Sequence, residues 1–218
     1  HRGDLTGIEI MSRLKENVLA SGLLLLDEQR AVSLLADGEG RTGGALLLDV
    51  RTGGFTAVSA KATLVATGGG ARMYSIAAPS LEKSGDGMAL CYRAGCVMRD
   101  MEMFQFHPTG LVAGRSILTG AVLEEGLRGA GGYLFNALGE RFMERHDPQR
   151  MERSTRDLVS RAAYMEIQAG RATPDGAVLL DVSHLGAEFV ERTFPGMVER
   201  CREVGFDLAR APVKVSPT

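Results

Sequence analysis

Residues 23–67 read LLLLDEQRAVSLLADGEGRTGGALLLDVRTGGFTAVSAKATLVAT, and their period decides the first part of the fold. Short apolar runs (LLLL, AVSLLA, GALLLDV, FTAVSA, ATLVAT) are separated by turn residues at Asp27-Glu28, Asp37-Gly38, Thr42-Gly43-Gly44 and Thr52-Gly53-Gly54. This spacing predicts a run of short strands joined mostly as a meander. Gly38-Glu39-Gly40-Arg41-Thr42-Gly43 fits G-x-G-x-x-G. That pattern cradles a phosphate only where a strand precedes it and a helix opens at its end. Here GALLLDV follows, which is another strand, so a plain hairpin loop is expected. Ala66-Thr67-Gly68, which closes the last apolar run, is better placed. Small residues at the C-terminal end of a strand let a ligand or another backbone approach closely.

Working outward, the period lengthens. Residues 6–20, TGIEIMSRLKENVLA, place Ile8, Met11, Leu14 and Val18 at helical spacing, with Thr6 and Glu9 as a capping box. SGDGMALCYRAG (84–95) reads as a helix ending in Gly95, and Ser154–Ala169 as a second long one. Ala187–Gly205 reads as one or two helices broken near Pro195. The class is therefore α+β: strand-rich first, α-rich afterwards, with the change near Asp100.

Composition narrows the function classes. The 218 residues carry 24% charged side chains and a net charge of -2, which invites neither nucleic acid nor an anionic membrane. No apolar run approaches the roughly 18 residues of a spanning helix. The three cysteines form no CxxC pair and are expected to be reduced, cytosolic and mainly structural, and no metal cluster is expected. A chain opening on His1, without an initiator Met or a signal-peptide pattern, is expected to be a piece of a longer protein.

Chemistry concentrates after Asp100. In MEMFQFHPTG (101–110), His107 precedes a proline and so cannot continue a helix; its imidazole is aimed by a rigid turn. Downstream, EEGLRGAGG (124–132) joins Glu124, Glu125 and Arg128 to four glycines. Arg156 then opens a helix in its first turn, where a cation opposes the macrodipole and so is either solvated or paired with a carboxylate.

Taken in order, AKATLVATGGGARMY, SGDGMALCYRAG, DMEMFQFHPTG, EEGLRGAGGYLFNALGERFMER, STRDLVSRA and the closing VKVSPT resemble the flavoprotein subunits of succinate dehydrogenase and fumarate reductase. That group also contains L-aspartate oxidase. The resemblance implies a partial, strand-rich FAD-binding domain over residues 1–100 and an α-rich capping domain over 101–218. It implies FAD as cofactor, with Asp86 of SGDG on the flavin nucleotide and Ala66, Thr67 and Gly68 beside it. It implies that His107 binds a substrate carboxylate, that Arg156 delivers the proton, and that Glu125 and Arg128 reprotonate Arg156. The activity implied is hydride transfer between flavin N5 and a four-carbon dicarboxylate. An iron-sulfur electron-transfer subunit is the implied partner, at the inner face of the cytoplasmic membrane without a span of its own.

This sequence departs from the family at three points. Glu124 stands where a Thr is usual, and Ala130 replaces the middle Glu of RGEGG. The stretch between His107 and Glu125 is longer, so Thr119 is expected to supply the missing hydroxyl, and Thr119 and Glu124 join His107 as substrate-side candidates. No usable phosphate-binding start lies upstream, so the isolated chain is expected not to retain FAD and to be inactive alone. Two alternatives stand beside the succinate/fumarate reading: an L-aspartate oxidase, and a cap module without activity.

Overall fold

The computed structural model describes residues 6–218, in two compact units. One comprises the residues up to Val65 with Arg93–Gly95; the other comprises Ala66–Tyr92 and Cys96–Thr218.

In the first unit α1 spans Thr6–Ala20 and buries no side chain. Thr6 is already helical, so the cap position lies outside the described residues. Three antiparallel strands follow, β1 (Gln29–Ala36), β2 (Thr42–Asp49) and β3 (Phe55–Ser59), in the order β1-β2-β3 expected of a meander. Both turns are closed by an aspartate. Asp37 Oδ1 accepts the Glu39 and Arg41 N–H groups at 2.9 Å each, and Asp49 Oδ1 accepts those of Arg51 and Thr52 at 2.9 and 2.8 Å. Such Asx turns explain why the glycine-rich stretch at 38–43 is a hairpin loop.

Two of the expected strands do not form. LLLL (23–26) and ATLVAT (62–67) are irregular, with Leu24 85% and Leu64 92% exposed. A strand needs a neighbour for its N–H and C=O groups. No described strand pairs with either stretch, and apolarity alone cannot supply one.

Gly44 in β2 has φ 145°, and a Cβ there would stand 1.9 Å from the Val58 carbonyl oxygen of β3. Replacing Gly44 with Ala is expected to cost about 2 kcal/mol or more, from strain plus a broken pairing. The shift in the urea midpoint of the protein measures it, and an unchanged midpoint counts against the register described.

The second unit carries α2 (Asp86–Arg93) up to its last residue, then a four-stranded antiparallel sheet in the order β4-β7-β6-β5, formed by Gly110–Leu111, Val213–Ser216, Val178–Asp181 and Tyr133–Phe135. Around it lie α3 (Glu125–Gly129), α4 (Met143–His146), α5 (Arg156–Gln168), α6 (Ala187–Thr193) and α7 (Pro195–Arg202). Pro195 is the first residue of α7, where its missing N–H costs nothing. Leu111, Leu134, Val159, Val178, Leu180 and Val215 meet in the core, each fully buried. The α-rich reading thus holds for this half, though a sheet lies at its centre.

α5 buries Glu166 completely. Its carboxylate accepts two bonds from Arg171 (2.6 and 3.0 Å), one from Arg145 (3.0 Å) and one from the buried Asn136 amide (2.9 Å). Those donors, Arg171 above all, hold it far below the usual carboxylate range despite burial.

Candidate active site

His107 is fixed by the last residue of the chain. Its N–H donates to the Thr218 carbonyl at 2.8 Å and its carbonyl accepts the Thr218 N–H at 2.9 Å, which extends the β4–β7 ladder beyond Gly110. The carbonyl just before it, of Phe106, accepts Ser160 Oγ from α5 at 2.8 Å. VKVSPT at the end of the chain and the second turn of α5 therefore aim the imidazole together.

Thr109 sets its tautomer. The Thr109 N–H points at His107 Nδ1 (3.3 Å), while the buried hydroxyl donates to the Leu123 carbonyl (2.7 Å). Nδ1 then keeps its lone pair and Nε2 carries the proton, free to donate to a ligand. Burial first, then the positive charges of Arg128 and Arg156, push the imidazole pKa down to about 4, against the pull of Glu125. His107 is thus a neutral donor at pH 7. We expect its ring NMR signals to titrate near pH 4, with Nε2 protonated above that. The linkage has a definite sign: the unfolded chain binds this proton near the ordinary 6.5 and the folded chain near 4, so acidification between those values destabilises the protein. A midpoint near 6.5 would contradict the burial described.

Glu125 opens α3, and its Oε2 accepts Arg156 Nε at 2.9 Å across 31 residues of sequence. Arg156 Nη1 also donates to Gln105 Oε1 at 3.3 Å. The first turn of α5 faces the first turn of α3, so the cation that opposes one macrodipole has found the carboxylate that suits the other. The Arg156 hydrogen bond holds Glu125 below the ordinary carboxylate value, helped by the charges of Arg128 and Arg156, against some desolvation. Glu125 is therefore ionised at neutral pH.

Arg128, one turn along α3, is only 2% exposed. Its Nη1 donates to the Glu152 carbonyl at 2.6 Å, while Nε and Nη2 are buried without a partner. Desolvation lowers its pKa first of all. The resemblance groups Arg128 with Glu125 as the pair that reprotonates Arg156. Among the described residues its hydrogen bond goes to Glu152 instead, and Glu125 is coupled to it through space. Two unsatisfied guanidinium N–H donors, buried beside a neutral histidine, are the groups an anion would satisfy. Glu152 is itself buried, gripped by both arms of Arg141 (2.9 and 2.6 Å) and by the Leu134 N–H (3.1 Å).

The segment leading into Glu125 is held from α7. Arg200 Nη1 donates to the Val122 carbonyl at 2.7 Å, and Met197 Sδ accepts the Glu124 N–H at 3.4 Å. Glu124 occupies the N-cap of α3. Thr119 is not brought to the cluster: its hydroxyl donates to the Gly114 carbonyl (2.9 Å) and accepts the Ala113 N–H (3.1 Å), closing its own loop.

The flavin-side candidates lie elsewhere in the same unit. A Cβ on Gly70 would lie 3.3 Å from Gly85 Cα, so the two glycine-bearing stretches pack backbone to backbone there, while Gly68 lies against the Lys83 side chain. Asp86 begins α2 and accepts Ser84 Oγ at 2.9 Å. Ala66, Thr67 and Gly68 are exposed. Nearby, Tyr74 meets Phe104 and Phe106 edge-on, and these rings line an apolar cavity of about 160 Å³ shared with Gln105 and His107.

The FAD binding domain family matches residues 1–218, the whole chain. The chain belongs to this family. Within the family it is 38% identical to the 8-methylmenaquinol:fumarate reductase flavoprotein subunit of Wolinella succinogenes, over 99% of this chain and 35% of that protein. It is 33% identical to the succinate dehydrogenase flavoprotein subunit of Coxiella burnetii, over 99% of this chain and 36% of that one. L-aspartate oxidase 1 of Ralstonia nicotianae is 34% identical, over 100% and 41%. Among solved structures, a quinol-fumarate reductase with menaquinol molecules superposes with a TM-score of 0.86 at 32% identity, over 99% of this chain and 39% of that one. The chain thus spans well under half the length of these relatives. FAD is the cofactor of the family, and its members are oxidoreductases.

Several residues of this site carried no role in the sequence reading. Gln105 and Thr109 lay inside the quoted motif, flanking the histidine, so their proximity was visible though not their bonds. Ser160 and Thr218 likewise lay inside quoted segments without a role, and Glu152 gave no signal, because the contacts of all three with backbone exist only in the fold.

Proposed function

We propose that the full-length protein containing this chain interconverts succinate and fumarate, with residues 1–100 serving FAD and 101–218 capping the substrate. One observation carries this reading: Arg156 and Glu125, distant in sequence, are joined at 2.9 Å, with the neutral His107 and the half-satisfied Arg128 coupled to the same pair. His107 Nε2–H donates to one substrate carboxylate. The buried N–H groups of Arg128 add positive potential where a dianion binds. Arg156 hands a proton to the substrate carbon. A guanidinium gives up a proton only if a neighbouring carboxylate takes part in its return, and Glu125 is in place for that. Asp86, Gly68 and the Tyr74 pocket would hold FAD, whose reduced form would supply the hydride to fumarate and whose oxidised form would accept it from succinate. Ala66 and Thr67 flank that site. Glu124 is kept as a candidate for the substrate side through its place at the start of α3, whereas the Thr119 hydroxyl is taken up within its own loop.

An iron-sulfur subunit is the electron partner that this reading implies, with the assembly peripheral to the inner face of the cytoplasmic membrane. Among the described residues no helix is long and apolar enough to cross a membrane. The second reading is L-aspartate oxidation. It is favoured by Glu124, a carboxylate at the position where the family usually has a threonine and one suited to an ammonium group. Steady-state assays of the full-length protein with succinate, fumarate and L-aspartate decide between the two. Turnover with aspartate alone would overturn the first reading.

A further inference from the structure

Two of the three cysteines stand at one end of α2. The helix ends at Arg93, Gly95 follows with φ 78°, and the Cys96 N–H donates to the Cys91 carbonyl at 3.0 Å. This is the six-to-one hydrogen bond of a Schellman turn, which folds the residue past the helix back onto a side chain of its last turn. That contact is commonly apolar. Here the two residues that the turn brings together are both cysteines. The hydrogen bond also limits the backbone. A carbonyl oxygen lies about 2.4 Å from its Cα and an amide nitrogen about 1.46 Å, so a 3.0 Å bond keeps the two Cα atoms within about 7 Å. Disulfides span Cα separations of roughly 4.4–6.8 Å.

We propose that Cys91 and Cys96 form a reversible dithiol site, oxidised to a disulfide by low-molecular-weight disulfides. The Cys96 thiolate attacks one sulfur of the reagent and expels the first small thiol, leaving a mixed disulfide on Cys96. Cys91 then loses its proton and attacks Cys96 Sγ, expelling the second small thiol. Two electrons pass from the protein pair to the reagent, and the two protein protons end on the released thiols.

The order follows from environment. Cys96 is exposed, whereas Cys91 is half-buried and its thiol is pushed up by desolvation and by its neighbour. Cys201 is buried, pushed up to about 12, and takes no part. The expectation that the cysteines are mainly structural therefore suits Cys201 best. Two thiols alone do not make a metal site, and no group of three or more metal-ligating side chains occurs among the described residues.

Trypsin separates the pair, since residues 84–93 (SGDGMALCYR) carry Cys91 and residues 94–99 (AGCVMR) carry Cys96. The full-length protein is to be incubated with glutathione disulfide, alkylated, digested and weighed. The expected product is the two peptides joined by a disulfide, which dithiothreitol separates. Cys91→Ser is expected to stop at a stable glutathione adduct on Cys96. Cys96→Ser is expected to form the adduct on Cys91 roughly tenfold more slowly or worse. Recovery of both wild-type peptides as separate adducts, or unmodified after prolonged oxidation, overturns the proposal. Equal adduct rates in the two variants overturn the order of attack.

Discussion

Glu125→Gln in the full-length enzyme is expected to lower turnover by roughly 10²–10⁴-fold, the range for a lost acid–base group, while leaving KM almost unchanged. Gln keeps the size of the side chain and can still accept a hydrogen bond from Arg156 Nε. It cannot carry a proton back. Under the proposed reading substrate is gripped by His107 Nε2–H and the guanidinium groups, none of which the substitution removes, so the loss is expected to fall on kcat. A purely architectural role predicts something else. Glu125 and Arg156 are 52% and 44% exposed, and a surface pair of that kind contributes at most about 1 kcal/mol to folding. Under that account the variant would melt slightly early and turn over normally. Measuring kcat, KM and the unfolding midpoint on one preparation separates the two accounts, and unchanged turnover ends the relay reading. Arg128→Lys is a useful companion. Its ammonium is a point charge without the guanidinium fork, so it cannot occupy the Glu152 carbonyl and present two further N–H groups together. It should weaken substrate binding more than it slows proton transfer.

What the sequence disclosed of this site follows from how local each signal is. QFHPTG could be read because the proline restricts His107 through covalent geometry, which needs no fold to be felt. Arg156 could be flagged because a cation in the first turn of a helix is an anomaly that asks for an acid. The partner itself, 31 residues away, was supplied only by resemblance. The sheet of the second unit escaped for a different reason. β4 has two residues and β5 three, too few for a period of two to show, and β7 alternates only through Val213 and Val215. Conversely, LLLL and ATLVAT carried a strong apolar signal and formed no strand, because pairing is a property of two segments. Arg128 was tied to Glu125 only by resemblance; its Nη1 donates to a buried carbonyl on the Met151–Arg153 turn, a partner that no local signal announces.

Glu166→Ala is expected to destabilise the protein by about 2–4 kcal/mol, somewhat under the usual 3–5 for breaking a buried ion pair. The carboxylate is fully buried and bonded to three side chains, so its removal opens a cavity and leaves Arg171 and Arg145 without their shared acceptor. Both arginines are partly exposed, at 34% and 48%, and can turn to water, which moderates the loss. Asn136 cannot. It is fully buried, and its amide donates to Glu140 and Glu166 while its carbonyl oxygen accepts the Leu138 and Glu140 N–H groups. Losing Glu166 therefore loosens the hairpin from Asn136 to Glu140 as well as the C-terminal end of α5. Glu166→Gln tests whether charge or shape matters: it fills the space but turns an amide N–H toward guanidinium donors, and it should recover less than half of the loss. The pH dependence has a fixed sign. The folded pKa lies far below the ordinary 4.5, so the unfolded chain binds the proton first. The contribution of Glu166 is whole above pH 4.5 and falls away as the pH drops below it, a slope that Glu166→Ala removes. Urea unfolding of wild type and variant at pH 7 and pH 3.5 should show the two converging in acid. A gap that stays constant with pH would mean that the network acts through packing alone.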